Sequence, residues 1–166
     1  MSDNEFAVLY DRHYTKVYNY VTYRVGDAAA ADDVVSRVFE RALDRLATYD
    51  AASGPVEAWL FGIARNAVAD HFRSRRWLSW LPLDLFHETS SRDAKHEDAL
   101  VQDESHRELR RALERLSPRE RELLALKYGA EMTNRAIAAQ LGVGESNVGV
   151  ILHRAVGRLR EALKQP

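Results

Sequence analysis

Thr133 to Arg160, TNRAIAAQLGVGESNVGVILHRAVGRLR, decides how the chain is read. Ala136, Ile137 and Leu141 share one face of a short helix, Gly142 supplies the left-handed residue that ends it, and Val143 plugs the corner. In the helix that follows, Val148, Leu152, Ala155, Val156, Leu159 and Leu163 recur at helical spacing and predict its buried stripe. Ser146, Asn147, Gly149, Val150, His153 and Arg154 are left pointing outward near its start. Such a pair can be a plain helical hairpin. It is also the pattern of a helix-turn-helix, which lays its second helix in a DNA major groove.

Upstream, Leu109, Ala112, Leu113 and Leu116 mark a helix resuming near Ser105. Ser117-Pro118-Arg119-Glu120 is a strong helix start, with a Ser cap, Pro at the first position and Glu three residues on. The helix from Pro118 to Tyr128 is expected to bury Leu123, Leu124 and Leu126 beneath the hairpin. Before it, periodicity fades from Ser79 to Asp103. Pro82, Thr89-Ser90-Ser91 and an excess of acid (Asp84, Glu88, Asp93, Glu97, Asp98, Asp103 and Glu104 against Arg92 and Lys95) read as a flexible, solvated linker over 79–104.

The N-terminal third is helical in pattern too. Phe6, Leu9, Tyr10, His13, Val17, Tyr20 and Val21 make one stripe, within which His13 reads as a hydrogen-bonded core histidine, and Val25-Gly26-Asp27 breaks it. A second helix, about Ala30 to Ala47, buries Val35, Val38, Phe39, Ala42 and Leu46; Asp33, Arg37, Glu40, Arg41 and Asp44 form its outer face, either simply solvated or a partner surface. After the loop Thr48–Gly54, Pro55 opens a third helix, Val56 to about Trp77. Leu60, Ile63, Ala64, Ala67 and His71 are its buried side. Trp59, Gly62, Arg65, Asn66, Asp70, Arg73 and Arg76, with Arg75 nearby, lie opposite. Guanidinium for phosphate, amide for a base edge and indole for stacking suit a single nucleic-acid strand, although a plain basic surface helix has the same composition. The expected fold is all-α: two small helical domains, 1–78 and 105–166, on an acidic tether.

Composition is compatible with this. The 166 residues are 46% hydrophobic with 8 Gly and 4 Pro, a globular, helix-rich balance. Zero Cys excludes disulfides and thiolate metal sites and suits a reducing cytoplasm. MSDNEF does not begin a signal peptide, and AWLFGIA and WLSWLPLDLF are too short or interrupted to span a bilayer. Net charge is −1, so nucleic-acid affinity has to come from local asymmetry. No phosphate loop, HExxH, nucleophile elbow or ligand cluster is present, so no enzyme, metal or cofactor is expected.

LYDRHYTKVYNYV, DDVVSRVFERAL, AWLFGIARNAVADHFRSRR, LSPRERELLALKY and NVGVILHRAVGRLREAL, in this order and spacing, resemble the extracytoplasmic-function (ECF) group of bacterial RNA polymerase sigma factors. The resemblance covers nearly the whole chain. It implies that 1–78 is region two and 105–166 region four. It assigns Asp33, Arg37, Glu40 and Arg41 to the clamp helices of core RNA polymerase. Trp59, Arg65, Asn66, Asp70, Arg73, Arg75 and Arg76, with Tyr49 and Asp50 in the preceding loop, would take the single-stranded minus-ten element, one base being flipped out. Glu145, Ser146, Asn147, Gly149, Val150, His153, Arg154 and Arg158 would read the duplex minus-thirty-five element. An anti-sigma factor is an implied partner. In the family the linker threads toward the RNA path, so neutralising Asp93, Glu97 and Asp98 would alter promoter escape more than promoter choice.

The chain departs from the family at two places. Where many members carry Thr-Val-Lys-Ser-Arg it has Asn147-Val148-Gly149-Val150-Ile151, and the acidic residue usual before the Ile-Ala pair is Ala136. Weaker phosphate anchoring and a different base preference are expected, with Val150 against a thymine methyl and Asn147 toward adenine. The alternatives weighed are a stand-alone helix-turn-helix regulator, which would bind duplex DNA without polymerase, and a scaffold that binds other helices.

Overall fold

A computed structural model describes residues 3–78 and 99–164. Seven α-helices account for most of it: α1 (Asp3–Val25), α2 (Ala28–Asp44), α3 (Val56–Leu78), α4 (Ala99–Glu114), α5 (Pro118–Leu124), α6 (Asn134–Leu141) and α7 (Glu145–Lys164). Short 3₁₀ turns at Leu46–Thr48 and Ala51–Ser53 carry the loop between α2 and α3, and a π-helical turn, Ala125–Gly129, follows α5. No strand occurs among the described residues. The acidic stretch with Pro82, Asp84, Glu88, Asp93, Glu97 and Asp98 lies outside them.

The helix boundaries follow from local chemistry. Asp27 caps α2, its carboxylate accepting from Ala30 N at 2.8 Å. The expected capping box opens α5: Ser117 Oγ accepts from Glu120 N at 3.3 Å, and Glu120 Oε2 accepts from Ser117 N at 2.9 Å. Thr133 caps α6, and Gly142 ends it at φ 65°, ψ 39°, the left-handed residue the sequence called for.

Three boundaries differ from expectation. The second helix stops at Asp44, not Ala47, because Arg45 leaves helical geometry and the chain tightens into a 3₁₀ turn around buried Leu46. The fourth begins at Ala99, not Ser105, so Asp103 and Glu104 fall within its helical span. The fifth converts to a π turn after Leu124, because Ala130 N reaches back five residues to Ala125 O at 2.9 Å.

The core runs without a break through both ends of the chain. Leu9, Val17 and Val21 of α1 meet Val34, Val38 and Phe39 of α2 and Leu60, Ala64 and Val68 of α3. Leu113, Leu123, Leu126, Ile137, Val148, Leu152 and Ala155 continue the same cluster in the C-terminal half. Leu163, expected on the buried stripe of α7, is 47% exposed. The two halves are bound together across α1 and α3 on one side and α5 and its π turn on the other. Gly129 lies so close to α1 that a Cβ there would stand 2.9 Å from Tyr20 N and Cα.

Candidate nucleic-acid interface

In α3 the apolar residues Leu60, Ile63, Ala64 and Ala67 are buried as their spacing predicts, which turns Asn66, Arg73, Arg75 and Arg76 to solvent. Trp59 is half-buried, not exposed: the Tyr49 ring packs on it at 5.4 Å between centroids, and Tyr49 Oη donates to Gly54 O at 3.0 Å. The loop side chain Asp50 caps its own turn, accepting from Ala52 N at 2.9 Å and Ser53 Oγ at 3.0 Å. The expected flipped-base loop is therefore built as a short, self-bonded turn with two aromatic rings at its edge.

Arg65 has another engagement. Its Nε donates to Glu122 Oε1 at 3.0 Å and its Nη1 to Gln140 O at 3.1 Å. Glu122 also accepts from Tyr20 Oη at 3.0 Å and pairs with Arg24 Nη1 at 3.0 Å. Burial, reinforced by the Glu122 carboxylate, pushes the Tyr20 phenol far above its ordinary pKa, so it stays a donor. Gly62 lies under Gln140, whose Nε2 would be 3.8 Å from a Cβ at that position. One edge of the predicted single-strand face is thus covered by α5 and α6, and the other edge is open.

On α2, Asp33, Arg37 and Glu40 are exposed as one outward set. Arg41 is half-buried and turns toward α3, where its Nη1 pairs with Asp70 Oδ2 at 2.8 Å. Arg73 Nη2 approaches the other oxygen of Asp70 at 3.3 Å. The structure therefore joins Arg41, assigned by resemblance to polymerase, to Asp70, assigned to DNA. Arg45 lines the same hollow. Sequence reading missed it, although its i+4 spacing from Arg41 puts it on the same side of the helix end.

In the helix-turn-helix, Val148, Leu152 and Ala155 are buried, and Glu145, Ser146, Asn147, Val150, His153 and Arg154 are exposed. Gly149 is half-buried beside Asn134, whose Nδ2 would be 3.8 Å from a Cβ there. Ile151, where the family resemblance leads to an expectation of Arg, packs against the core. Arg158 is tied down: its Nη1 lies 3.0 Å from Glu120 Oε1. Burial raises the pKa of Glu120, but hydrogen bonds from Ser117 and the Arg158 charge outweigh it and hold the carboxyl below its usual range.

Among the described residues no group of side chains, histidines included, is placed to hold a metal. His13 is buried as expected, but its Nδ1 has no hydrogen-bond partner; the nearest carboxylate oxygen, on Glu57, is 4.0 Å away. Burial lowers its pKa, as it does that of His71, where Arg75 and Arg37 add to the effect. No helix among the described residues is long and apolar enough to cross a membrane.

Comparison with known proteins agrees with this geometry. Sigma-70 region 2 matches residues 9–78, and Sigma-70 region 4 matches residues 106–159. The ECF RNA polymerase sigma factor BldN of Streptomyces coelicolor is 34% identical over 158 residues, which cover 95% of this chain and 60% of BldN. The ECF sigma factor SigL of Mycobacterium tuberculosis is 32% identical over 162 residues, covering 95% of this chain and 88% of SigL. CnrH, solved with the cytosolic domain of CnrY, shares the fold at a TM-score of 0.73 and 23% identity, covering 98% of this chain and 90% of CnrH. RpoE of Bartonella quintana, solved with the anti-sigma factor NepR, does so at 0.71 and 19%, covering 97% and 98%. Helices with two DNA-suited faces, matched in order by both regions and by relatives along nearly the whole chain, identify this protein as a member of the ECF RNA polymerase sigma factors.

Proposed function

We propose that this protein binds core RNA polymerase, directs it to a subset of promoters and helps melt the minus-ten element. Residues 1–78 serve as region two and 105–166 as region four, with 79–104 between them. The observation that carries the reading is the pairing of two different DNA-suited faces in one chain. The α7 face offers Ser146, Asn147, Val150 and His153 to a duplex groove, and α3 offers Asn66, Arg73 and the Tyr49–Trp59 rings to an unstacked strand. Unstacking a base costs on the order of a few kcal/mol, and stacking returns about 1–3 kcal/mol per base. Melting is therefore confined to sequences whose flipped base fits. Nothing in this process needs a catalytic group, and the protein acts in the cytoplasm, where the polymerase is.

The exposed Asp33, Arg37 and Glu40 grip the polymerase. Because Arg65 and Gly62 are covered by α5 and α6, the C-terminal half has to move off α3 before that edge meets DNA. An anti-sigma factor regulates the protein by holding its two halves; CnrH and RpoE, which share its fold, were each solved with a bound partner protein. The test is transcription by purified core polymerase on a randomised promoter pool, with and without the protein. Protein-dependent starts behind a shared two-block upstream sequence support the reading. No initiation, combined with tight duplex binding by the protein alone, replaces it with a stand-alone regulator.

A further inference from the structure

Between the end of α2 and the middle of α3 lies a hollow of about 380 Å³ lined by Arg41, Arg45, Ile63, Asn66, Asp70 and Arg73. Its charged groups come from two helices in register. Arg41 lies in the last turn of α2 and Arg45 caps that helix four residues on; Asn66, Asp70 and Arg73 follow one another at i, i+4 and i+7 on α3. Asp70 spends both oxygens on two guanidiniums, Arg41 at 2.8 Å and Arg73 at 3.3 Å. Arg45 is exposed, and among the described residues no carboxylate pairs with it. The hollow therefore holds three positive charges against one negative, in a chain whose net charge is −1.

An exposed ion pair contributes at most about 1 kcal/mol to folding, and one arginine per carboxylate is enough to make it. A surplus of guanidiniums repels itself unless a further anion enters. We propose that this hollow binds one backbone phosphate of a single DNA strand, and that Asp70 occupies the forks of Arg41 and Arg73 as a stand-in until the phosphate arrives. Arginine forks match phosphate oxygens in pairs. Asn66 adds an amide that can meet the sugar or a base edge of the same nucleotide. Arg45 opens the loop that carries Tyr49 to its place against Trp59, so the same loop links the hollow to the ring pair.

The inference rests on the proposed function and deepens it. It divides α2 in two. Asp33, Arg37 and Glu40 face outward, whereas Arg41, with Arg45 at the helix end, joins the strand-binding surface, and Asp70 competes with DNA instead of contacting it.

The experiment uses holoenzyme assembled from the full chain and core polymerase. The probe is a single-stranded oligonucleotide bearing the non-template sequence recovered from the promoter pool, its phosphates neutralised one at a time as methylphosphonates. Affinity for core is measured alongside. With the natural protein, one methylphosphonate position should weaken binding about tenfold, the loss of a single charge-assisted contact. Arg45→Ala should weaken the unmodified strand by a similar factor, abolish sensitivity at that position, and flatten the log affinity–log salt slope by about 0.7. Asp70→Asn should tighten strand binding severalfold. An unchanged methylphosphonate profile in Arg45→Ala overturns the proposal. If core affinity falls in that variant with the profile unchanged, the hollow receives a polymerase carboxylate. Failure of the natural chain to assemble with core is a different result: it sinks the sigma-factor reading, and this proposal with it.

Discussion

Replacing Glu122 by Ala should loosen the grip between the two halves of the chain. One carboxylate there holds the Tyr20 phenol and Arg65 Nε at 3.0 Å each and Arg24 Nη1 at 3.0 Å, linking α1 and α3 to α5. Breaking a fully buried ion pair costs about 3–5 kcal/mol. The side chains of Glu122 and Arg24 are each 15% exposed and that of Arg65 35%, so water takes over part of the loss. The expected penalty is about 2–3 kcal/mol, a shift of roughly 30- to 150-fold in the opening equilibrium. Glu122→Gln keeps a neutral acceptor for Tyr20 and should fall about midway. The chain contains no cysteine, so cysteines introduced at exposed Asp44 and Glu161 are unique dye sites. Energy transfer between them should drop in Glu122→Ala and partly in Glu122→Gln, with a lower urea midpoint for separation of the halves. Unchanged transfer and midpoint in Glu122→Ala would show that the carboxylate cluster does not hold the halves together.

Gly129→Ala should act on the same contact by steric means, since its Cβ would meet the Tyr20 backbone at 2.9 Å; about 1–3 kcal/mol of destabilisation is expected, and a wild-type midpoint would refute it. Ser117→Ala removes the cap of α5 and should cost about 1 kcal/mol, read as a drop in Tm. His13 and His71 both titrate below their ordinary pKa in the fold, so the unfolded chain binds more protons as pH falls through about 6.5. Stability should therefore decline below that pH until the folded values are passed, and the decline should flatten in the His13→Leu/His71→Leu double variant. Glu120 adds a loss at lower pH: its depressed carboxyl stabilises the fold above the ordinary range and ceases to do so as it protonates, an effect that Arg158→Ala should shrink. In a base-by-base promoter scan, Asn147→Ala should relax preference at one minus-thirty-five position by about 1–3 kcal/mol, and Val150→Ala should relax preference for thymine at a neighbouring one; unchanged preference removes both from base reading.

Much of the fold was legible because local rules and packing agree. Leu123, Leu124 and Leu126 are buried, Gly142 is left-handed, and Ser117-Pro118-Arg119-Glu120 forms its capping box. Periodicity does not tell where along an element burial ends, as at Leu163 near the end of α7, which keeps the spacing of the stripe but is exposed. It also says nothing about rotation between helices. Arg41 sits beside Arg37 and Glu40 in any helical projection, yet its side chain swings to Asp70 because α3 passes that edge of α2. Arg65 looked free for DNA because its partner, Glu122, is 57 residues away. The missing hydrogen bond of His13 was equally invisible, since it depends on where Glu57 comes to rest.

The π turn at Ala125–Gly129 fixes the phase of everything after it. It fits one more residue into the segment than a regular helix would use, and that extra residue sets the screw position at which the chain enters Thr133 and α6. Forcing the same residues into ordinary α pitch would push that extra residue out of the turn and into the chain that follows. The helix-turn-helix would then be dialled round by about 100°, the angle one residue subtends in an α-helix. Val148 and Leu152 would still read as a well-formed stripe, but they would face the wrong wall. A chain lacking that one residue would instead close the turn at ordinary pitch and keep the same face of α7 outward.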